Sequence, residues 1–171
     1  MHMINKPERI IKRIIKAVGK TQSVLLIGSW NETLIKGIKE NQNSLTQGSE
    51  PKDLNDNSFT RIIADYSTID STSFFIEARG LLLPTGFIII SAHCEEGFFT
   101  KFFNSFNKHH LKEENIKKIK PKTLQNQIHD NGFLIDGYYG YPGGHLLMIA
   151  QIQNKEVTTL FTSDKQETIT I

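Results

Sequence analysis

The sequence predicts an α/β fold in which a mostly parallel sheet, covered by helices on both faces, ends in an antiparallel hairpin. Short continuous apolar runs at 23–28 and 87–91 are typical of strands buried on both sheet faces. Segments with helical spacing of apolar residues separate these runs, and parallel strands need such crossovers. The last two predicted strands, 133–136 and 145–151, are joined too closely for a crossover and are therefore expected to be antiparallel.

Bulk composition indicates one folded domain. The chain has 171 residues, of which 38% are hydrophobic and 22% charged, as is ordinary for a folded domain. We expect a single domain over 1–171, with its core at about 7–152 and with 153–171 as a tail or edge strand. The one cysteine, Cys94, excludes an internal disulfide and fits a reducing compartment. No apolar run approaches the roughly 20 residues of a membrane span, so a cytoplasmic protein without a membrane partner is expected.

Charge gives little support for a nucleic-acid partner. The net charge is +2, which is close to neutral. Basic side chains do cluster in a lysine-rich segment at 112–122 and on one side of the first predicted helix. The helix residues are Arg9, Lys12, Arg13 and Lys16. Solvated surface is the favoured interpretation of both clusters, with a phosphate or acidic partner as the alternative.

The first half of the chain is predicted to run helix, strand, helix, loop, strand. Apolar residues recur on one face of the first helix, which Pro7 and Gly19 delimit. The strand at 23–28 leads directly into a helix with Asn31 as its N-cap. The polar segment 41–58 is predicted to be mostly loop. A strand at 59–65 then ends on an acid.

The second half alternates again. A helix beginning near Ser71 is predicted to stop at Pro84 and Gly86, before the buried strand 87–91. Phenylalanines at helical spacing over 98–106 predict a core helix. A short helix around 124–128 closes at Asn131-Gly132, and the two hairpin strands follow.

Three segments resemble the class I S-adenosylmethionine (SAM)-dependent methyltransferases, and together they span about residues 7–152. Residues 24–30 (VLLIGSW) resemble the family's first strand and glycine-rich loop. Residues 62–66 (IIADY) and 75–91 are similar to its fourth strand, the next helix with a Leu-Leu-Lys-Pro-Gly-Gly-like turn, and its fifth strand. Asn131-Gly132-Phe133 resembles the Ala-Gly-Phe that opens the sixth strand. The resemblance implies a Rossmann-like sheet and SAM as the cofactor.

The resemblance also implies where SAM would bind. The loop after the first strand reads Gly28-Ser29-Trp30, and glycine there lets the backbone approach the cofactor. Trp30 either fills a pocket or stacks on a ligand. Asp65 and Tyr66 come at the carboxyl end of a central strand, where open α/β sheets bind ligands; helix capping is the alternative role.

The histidines include one catalytic candidate and predict no metal site. His93 follows the strand 87–91 and has the residue type of a general base, with incidental placement as the alternative. His109, His110 and His129 have no carboxylate partner at ligand spacing, so no metal site is predicted.

The sequence departs from the family pattern in two places. The loop after the first strand keeps only its first glycine. Gly28 and Asp65 are 65 − 28 = 37 positions apart, whereas the family places three helix-plus-strand units there, each of roughly 24 residues. One unit and part of another are therefore expected to be absent or reduced to loop, including the region of the ribose-binding acid. Glu50 and Asp53 are the nearby acids that could replace it.

Two functions are consistent with these features of the sequence. The lost glycines and the missing unit favour a methyltransferase-like domain without cofactor binding that serves as a non-catalytic partner or scaffold. The alternative is an active SAM-dependent methyltransferase, acting on a small molecule or a macromolecule and completed by oligomerisation. Because the missing unit leaves a sheet edge uncovered, a homo-oligomer such as a dimer, or a complex with a protein partner, is expected.

Overall fold

A computed structural model describes most of the predicted core. The residues it describes are 7–48, 54, 58–69, 73–94, 117–141 and 143–153. In chain order the elements are α1 (Glu8–Val18), β1 (Ser23–Ile27), α2 (Glu32–Glu40), β2 (Ser44–Gly48), β3 (Phe59–Asp65), a 3-10 turn (Tyr66–Thr68), α3 (Phe74–Leu81), β4 (Leu82–Cys94), β5 (Lys118–Ile119), α4 (Pro121–Asp130), β6 (Phe133–Tyr141) and β7 (His145–Ile152). Several predictions concern residues outside the described ones: the helix at 98–106, Glu50, Asp53, His109, His110 and the tail beyond 153.

The strands form one sheet in the order β2-β1-β3-β4-β7-β6. Strands β2, β1, β3 and β4 are parallel, whereas β7 is antiparallel to β4 and to β6. Strand β5 is a two-residue strand that pairs with the end of β4 at His93 and Cys94. The predicted parallel sheet with a C-terminal antiparallel hairpin is therefore confirmed. The prediction of a solvated linker over 112–122 missed β5.

Strand β2 corrects the prediction that 41–58 is mostly loop. Its sequence, SLTQG, is polar, and none of its five residues is fully buried. Backbone pairing with β1 along its whole length holds it in the sheet. One β-α-β unit, β1-α2-β2, is thus present. Nine residues, 49–57, separate Gly48 from Ser58, fewer than the roughly 24 of a further unit.

The turn predicted at Pro84 and Gly86 is instead a bulge inside β4. Helix α3 ends at Leu81, and β4 begins at the next residue. Between the pairs Phe59–Leu82 and Arg61–Phe87, one residue of β3 faces four residues of β4. A Cβ atom on Gly86 would lie 2.9 Å from the Leu83 carbonyl oxygen, so the bulge needs a glycine there.

Helices cover both faces of the sheet and bury hydrophobic side chains there, as predicted. On one side, which we call the α1–α2 face, helices α1 and α2 pack on alternate residues of the strands, among them Leu26, Ile63 and Ile89. On the opposite side, the α3–α4 face, helices α3 and α4 pack on the intervening residues, such as Ile62 and Ile88. No helix among the described residues is long and apolar enough to cross a membrane.

Candidate functional site

The candidate site is the edge of the sheet where the parallel strands β1, β3 and β4 end, which we call the carboxyl edge. Open α/β sheets bind their ligands at this edge. Gly28 follows β1, Asp65 is the last residue of β3, and His93 is the second-last residue of β4. The fold thus brings the predicted site residues to one edge, from three separate parts of the chain.

The loop after β1 makes a tight turn at Gly28. Its φ of +97° lies in the left-handed region that favours glycine. A Cβ atom added there would lie 2.5 Å from Oγ1 of Thr68. The Thr68 hydroxyl donates a hydrogen bond to the Asp65 carbonyl oxygen at 2.8 Å, which fixes that side chain. Thr68 therefore lies against the bare backbone of Gly28.

Trp30 is a core side chain. It is only 6% exposed and packs in the hydrophobic cluster of the α1–α2 face. Its indole Nε1 donates a hydrogen bond to the Ile27 carbonyl oxygen at 2.8 Å, which satisfies the polar atom inside the core. Ser29, directly before it, is half-buried. The indole thus occupies space between the sheet and its two covering helices.

Asp65 and Tyr66 both make contacts within the chain. The Asp65 carboxylate is fully buried and accepts a hydrogen bond from the backbone N–H of Ser67 at 3.1 Å, so it caps the 3-10 turn. The Tyr66 hydroxyl donates to Oε1 of Gln127 on α4 at 3.2 Å. The Lys117 ammonium lies 4.9 Å from the centre of the Tyr66 ring. The loop after β3 is therefore tied to α4 and to the start of β5.

Polar side chains form a row along the carboxyl edge on the α1–α2 face. Alternation along each strand places them on the same face as core residues Ile63, Ile89 and Leu147. The row consists of Asp65, Ser91, His93 and His145. Asp65 and Ser91 are fully buried, and His93 is nearly so. Burying polar groups costs free energy unless they are hydrogen-bonded. The polar row therefore distinguishes the carboxyl edge from the apolar core on the same face of the sheet.

The two histidines of the polar row form a ring pair. His93 and His145 are directly opposite each other on β4 and β7, with ring centroids 4.2 Å apart and ring planes at 56°. Local sequence pattern does not indicate this pair, because His145 joins the site only through the register of β7 on β4. Ser91 was also missed, because it lies opposite Asp65 only through the register of β4 on β3.

Cys94 is beside the histidine pair in sequence but on the opposite face. It packs against the α3–α4 core, and burial raises the pKa of its thiol to about 11. Burial, and then the charge of a Cys94 thiolate, also raise the pKa of the Tyr138 hydroxyl. Cys94 is therefore a protonated and weakly nucleophilic thiol at neutral pH. Across the described part of the chain, no three histidine, cysteine or acidic residues are grouped to hold a metal ion.

Comparison with known proteins identifies the fold. No protein-family model matches the sequence, and no curated protein matches it. Among solved structures, a Burkholderia thailandensis 1,6-didemethyltoxoflavin-N1-methyltransferase superposes with a TM-score of 0.63 at 13% identity, over 85% of this chain and 78% of that one. The chain has the fold of the class I SAM-dependent methyltransferases.

Two further structures with this methyltransferase fold agree. A SAM-dependent methyltransferase from Aquifex aeolicus matches with a TM-score of 0.56 at 14% identity, over 86% of this chain and 94% of that one. A possible histamine N-methyltransferase from Thermotoga maritima matches with a TM-score of 0.54 at 13% identity, over 84% of this chain and 88% of that one. The Burkholderia structure contains S-adenosylhomocysteine, the demethylated product of SAM. At these identities the comparison shows the fold, and the chemistry of this chain has to be argued from its own residues.

Proposed function

We propose that this chain is a methyltransferase-fold domain that does not use SAM and acts as a non-catalytic partner or scaffold. One observation carries the proposal: the residues that the resemblance assigns to the cofactor make their contacts within the chain. A cofactor site needs bare backbone and polar groups that can turn toward the ligand.

Four of the five assigned positions, all except Ser29, support this view. Thr68 lies against Gly28, where a SAM-binding loop leaves its backbone open. Trp30, in place of a loop glycine, is buried in the α1–α2 core. The Asp65 carboxylate caps its own turn, and the Tyr66 hydroxyl bonds to Gln127. The described residues therefore do not fit SAM, and we assign no methyl-transfer step to them.

Calorimetric titration with SAM, and separately with S-adenosylhomocysteine, tests the proposal. We expect no heat of binding from either compound up to about 1 mM, which corresponds to a binding free energy weaker than about −4 kcal/mol. A SAM-binding methyltransferase of the same fold, titrated under the same conditions, serves as the positive control. Circular dichroism of the sample beforehand establishes that the protein is folded.

The proposal fails if either compound binds more tightly than about 0.1 mM and Gly28→Arg abolishes the binding. Arginine at this position would meet Thr68 and would need an unfavourable positive φ, so the variant closes the loop after β1. Thermal unfolding of Gly28→Arg must show a cooperative transition, so that lost binding is distinguished from lost folding.

A second candidate, an active SAM-dependent methyltransferase, is favoured by one observation. The β1-α2-β2 unit is intact, and in the sequence Glu50 comes two positions after Gly48, the last residue of β2. An acid after the second strand is the usual acceptor for ribose hydroxyls in dinucleotide sites. If SAM binds, Glu50→Gln should weaken binding about tenfold, and His93→Gln should test the general-base role.

A partner role also requires a surface that binds the partner and a cellular compartment in which the protein acts. Strand β2 lies at one end of the sheet and pairs with β1 alone among the described strands. We propose that this edge pairs with a second copy of the chain. The single free thiol, Cys94, fits the reducing cytoplasm, where we place the protein.

A further inference from the structure

A second concave site lies at the other end of the sheet from the polar row. It is a cavity of about 330 Å³ on the α1–α2 face, between the second half of α1 and strands β4, β7 and β6. Its lining includes Arg13, Lys16, Phe87, Asp136, Tyr139 and Ile149. Phe87 and His93 are 93 − 87 = 6 positions apart on β4, or about 20 Å. The cavity is thus separate from the carboxyl edge.

Cations and aromatic rings are paired around this cavity. The Arg13 guanidinium carbon lies 4.4 Å from the centre of the Tyr139 ring. The guanidinium carbon of Arg61, which is not a lining residue, lies 3.8 Å from the centre of the Phe87 ring, which is part of the lining. A guanidinium stacked on a ring keeps its N–H edge free to donate to a carboxylate or phosphate. Lys16, one helical turn after Arg13, adds a second positive charge to the lining.

These positive charges have no acidic partner in the described part of the chain. The ion pair of α1 joins Lys12 to Glu8 at 2.7 Å and leaves out Arg13 and Lys16. Arg61 donates to the Thr60 carbonyl oxygen, while its Nε is buried without a hydrogen-bond acceptor. Burial lowers the pKa of Arg61, which reflects the cost of holding this cation away from water. Because Arg61 lies outside the lining, the cations available to a ligand in the cavity are Arg13 and Lys16.

We propose that this cavity binds a small aromatic oxyanion, a carboxylate or a phosphate ester carried on a single ring. Arg13 and Lys16 would bind the oxyanion, and Phe87, Tyr139 and Ile149 would contact the ring. The volume suits a one-ring molecule. Asp136, the one acid in the lining, is placed to accept a hydrogen bond from a hydroxyl on the ligand.

Amide chemical shifts of the ¹⁵N-labelled full chain test this proposal directly. The two probes are 4-hydroxybenzoate and phenyl phosphate, which distinguish a carboxylate ligand from a phosphate ligand. Inorganic phosphate and phenol, which carry only the anion or only the ring, are the controls. We expect saturable shifts at Tyr139 and Ile149 with one of the two probes, at a Kd below about 1 mM, and no saturation with either control.

Charge-neutralising variants locate the binding. Arg13→Gln should weaken binding at least about tenfold, because a charge-assisted hydrogen bond is lost. Arg9→Gln removes the same charge from an exposed position of α1 outside the cavity, and should leave the Kd unchanged. Equal weakening by both variants would mean that binding depends on the general surface charge of α1 and not on the cavity, and would overturn the proposal. Saturable binding of inorganic phosphate as tight as that of phenyl phosphate, or no saturable shift with either probe, would also overturn it.

Discussion

At the scale of single residues, the reactivity of Cys94 follows from its burial. Burial raises the pKa of the thiol to about 11, so little thiolate is present at neutral pH. We predict slow alkylation by iodoacetamide at pH 7.5, with a rate that rises about tenfold per pH unit up to about pH 11. Mass spectrometry follows the reaction, and no other cysteine contributes.

The urea-unfolded chain is the control for Cys94, and its alkylation rate should level off near the ordinary thiol pKa of about 8.5. A plateau at that pH in the folded protein would contradict the effect of burial on the pKa of Cys94.

The raised pKa of the Cys94 thiol also affects the stability of the fold. Since the folded pKa is raised above the unfolded one, the contribution of the buried thiol is complete below the unfolded pKa and is lost as the pH rises toward about 11.

Single positions at strand ends can be predicted from sequence, but their partners cannot. Gly28, Asp65 and His93 each follow an apolar run, which is enough to place them at the carboxyl edge. The contact of Thr68 with Gly28, and of His145 with His93, joins residues that are far apart in the chain. Such contacts depend on strand register and loop conformation, which local pattern does not determine.

At the scale of elements, Asn43 ties three of them together. Its Oδ1 accepts from the Gln22 N–H at 2.6 Å, and its Nδ2 donates to the carbonyl oxygens of Gly19 and Ile38. These atoms lie after α1, before β1 and at the end of α2. We predict that Asn43→Ala lowers the free energy of unfolding by about 2–3 kcal/mol, because buried backbone groups lose their partners.

Urea denaturation measures this loss, with Asn41→Ala as the matched control. Asn41 caps the end of α2 through its backbone, so its side chain can be removed with a change of only about 0.5 kcal/mol. Equal effects of the two substitutions would mean that the Asn43 side chain does not contribute through these hydrogen bonds. The change should appear in the midpoint with an unchanged slope.

The elements that sequence pattern missed are those with little apolar signal. Strand β2 is polar and is held by its backbone pairing with β1, which leaves no periodic trace in the sequence. Strand β5 has only two residues. Pro84 and Gly86 are ordinary turn residues, yet pairing on both sides of them makes the segment a bulge of β4. In each case long-range pairing outweighed the local preference.

At the scale of the whole molecule, the alternation of strands and helices predicted the fold class, and the chain length between Gly28 and Asp65 predicted a reduced sheet. Length alone did not show which elements remained. The retained unit is β1-α2-β2, and among the strands that the structure describes the sheet ends at β2. This position of β2, at an edge without charged residues or proline, motivates the prediction of a dimer.

The outer edge of β2 is suited to pairing with a second copy of β2. The Ser44 N–H donates to the Gln22 carbonyl oxygen on the β1 side, so alternation turns the amides of Leu45 and Gln47 outward. We predict that the protein is a dimer by light scattering and that Gln47→Pro makes it a monomer. Proline there removes an outward donor and leaves the pairing of β2 with β1 intact.

Gln47→Ala keeps the backbone N–H and is expected to remain dimeric, so the pair of variants separates the role of the amide from that of the side chain. Thr46→Pro removes a donor on the β1 side and should instead destabilise the fold. A monomer mass for the unmodified chain at every concentration up to about 1 mM would rule out pairing along this edge. A dimer that persists in Gln47→Pro would place the interface elsewhere on the molecule. Without the outward N–H of residue 47, two β2 strands cannot form a complete ladder of hydrogen bonds.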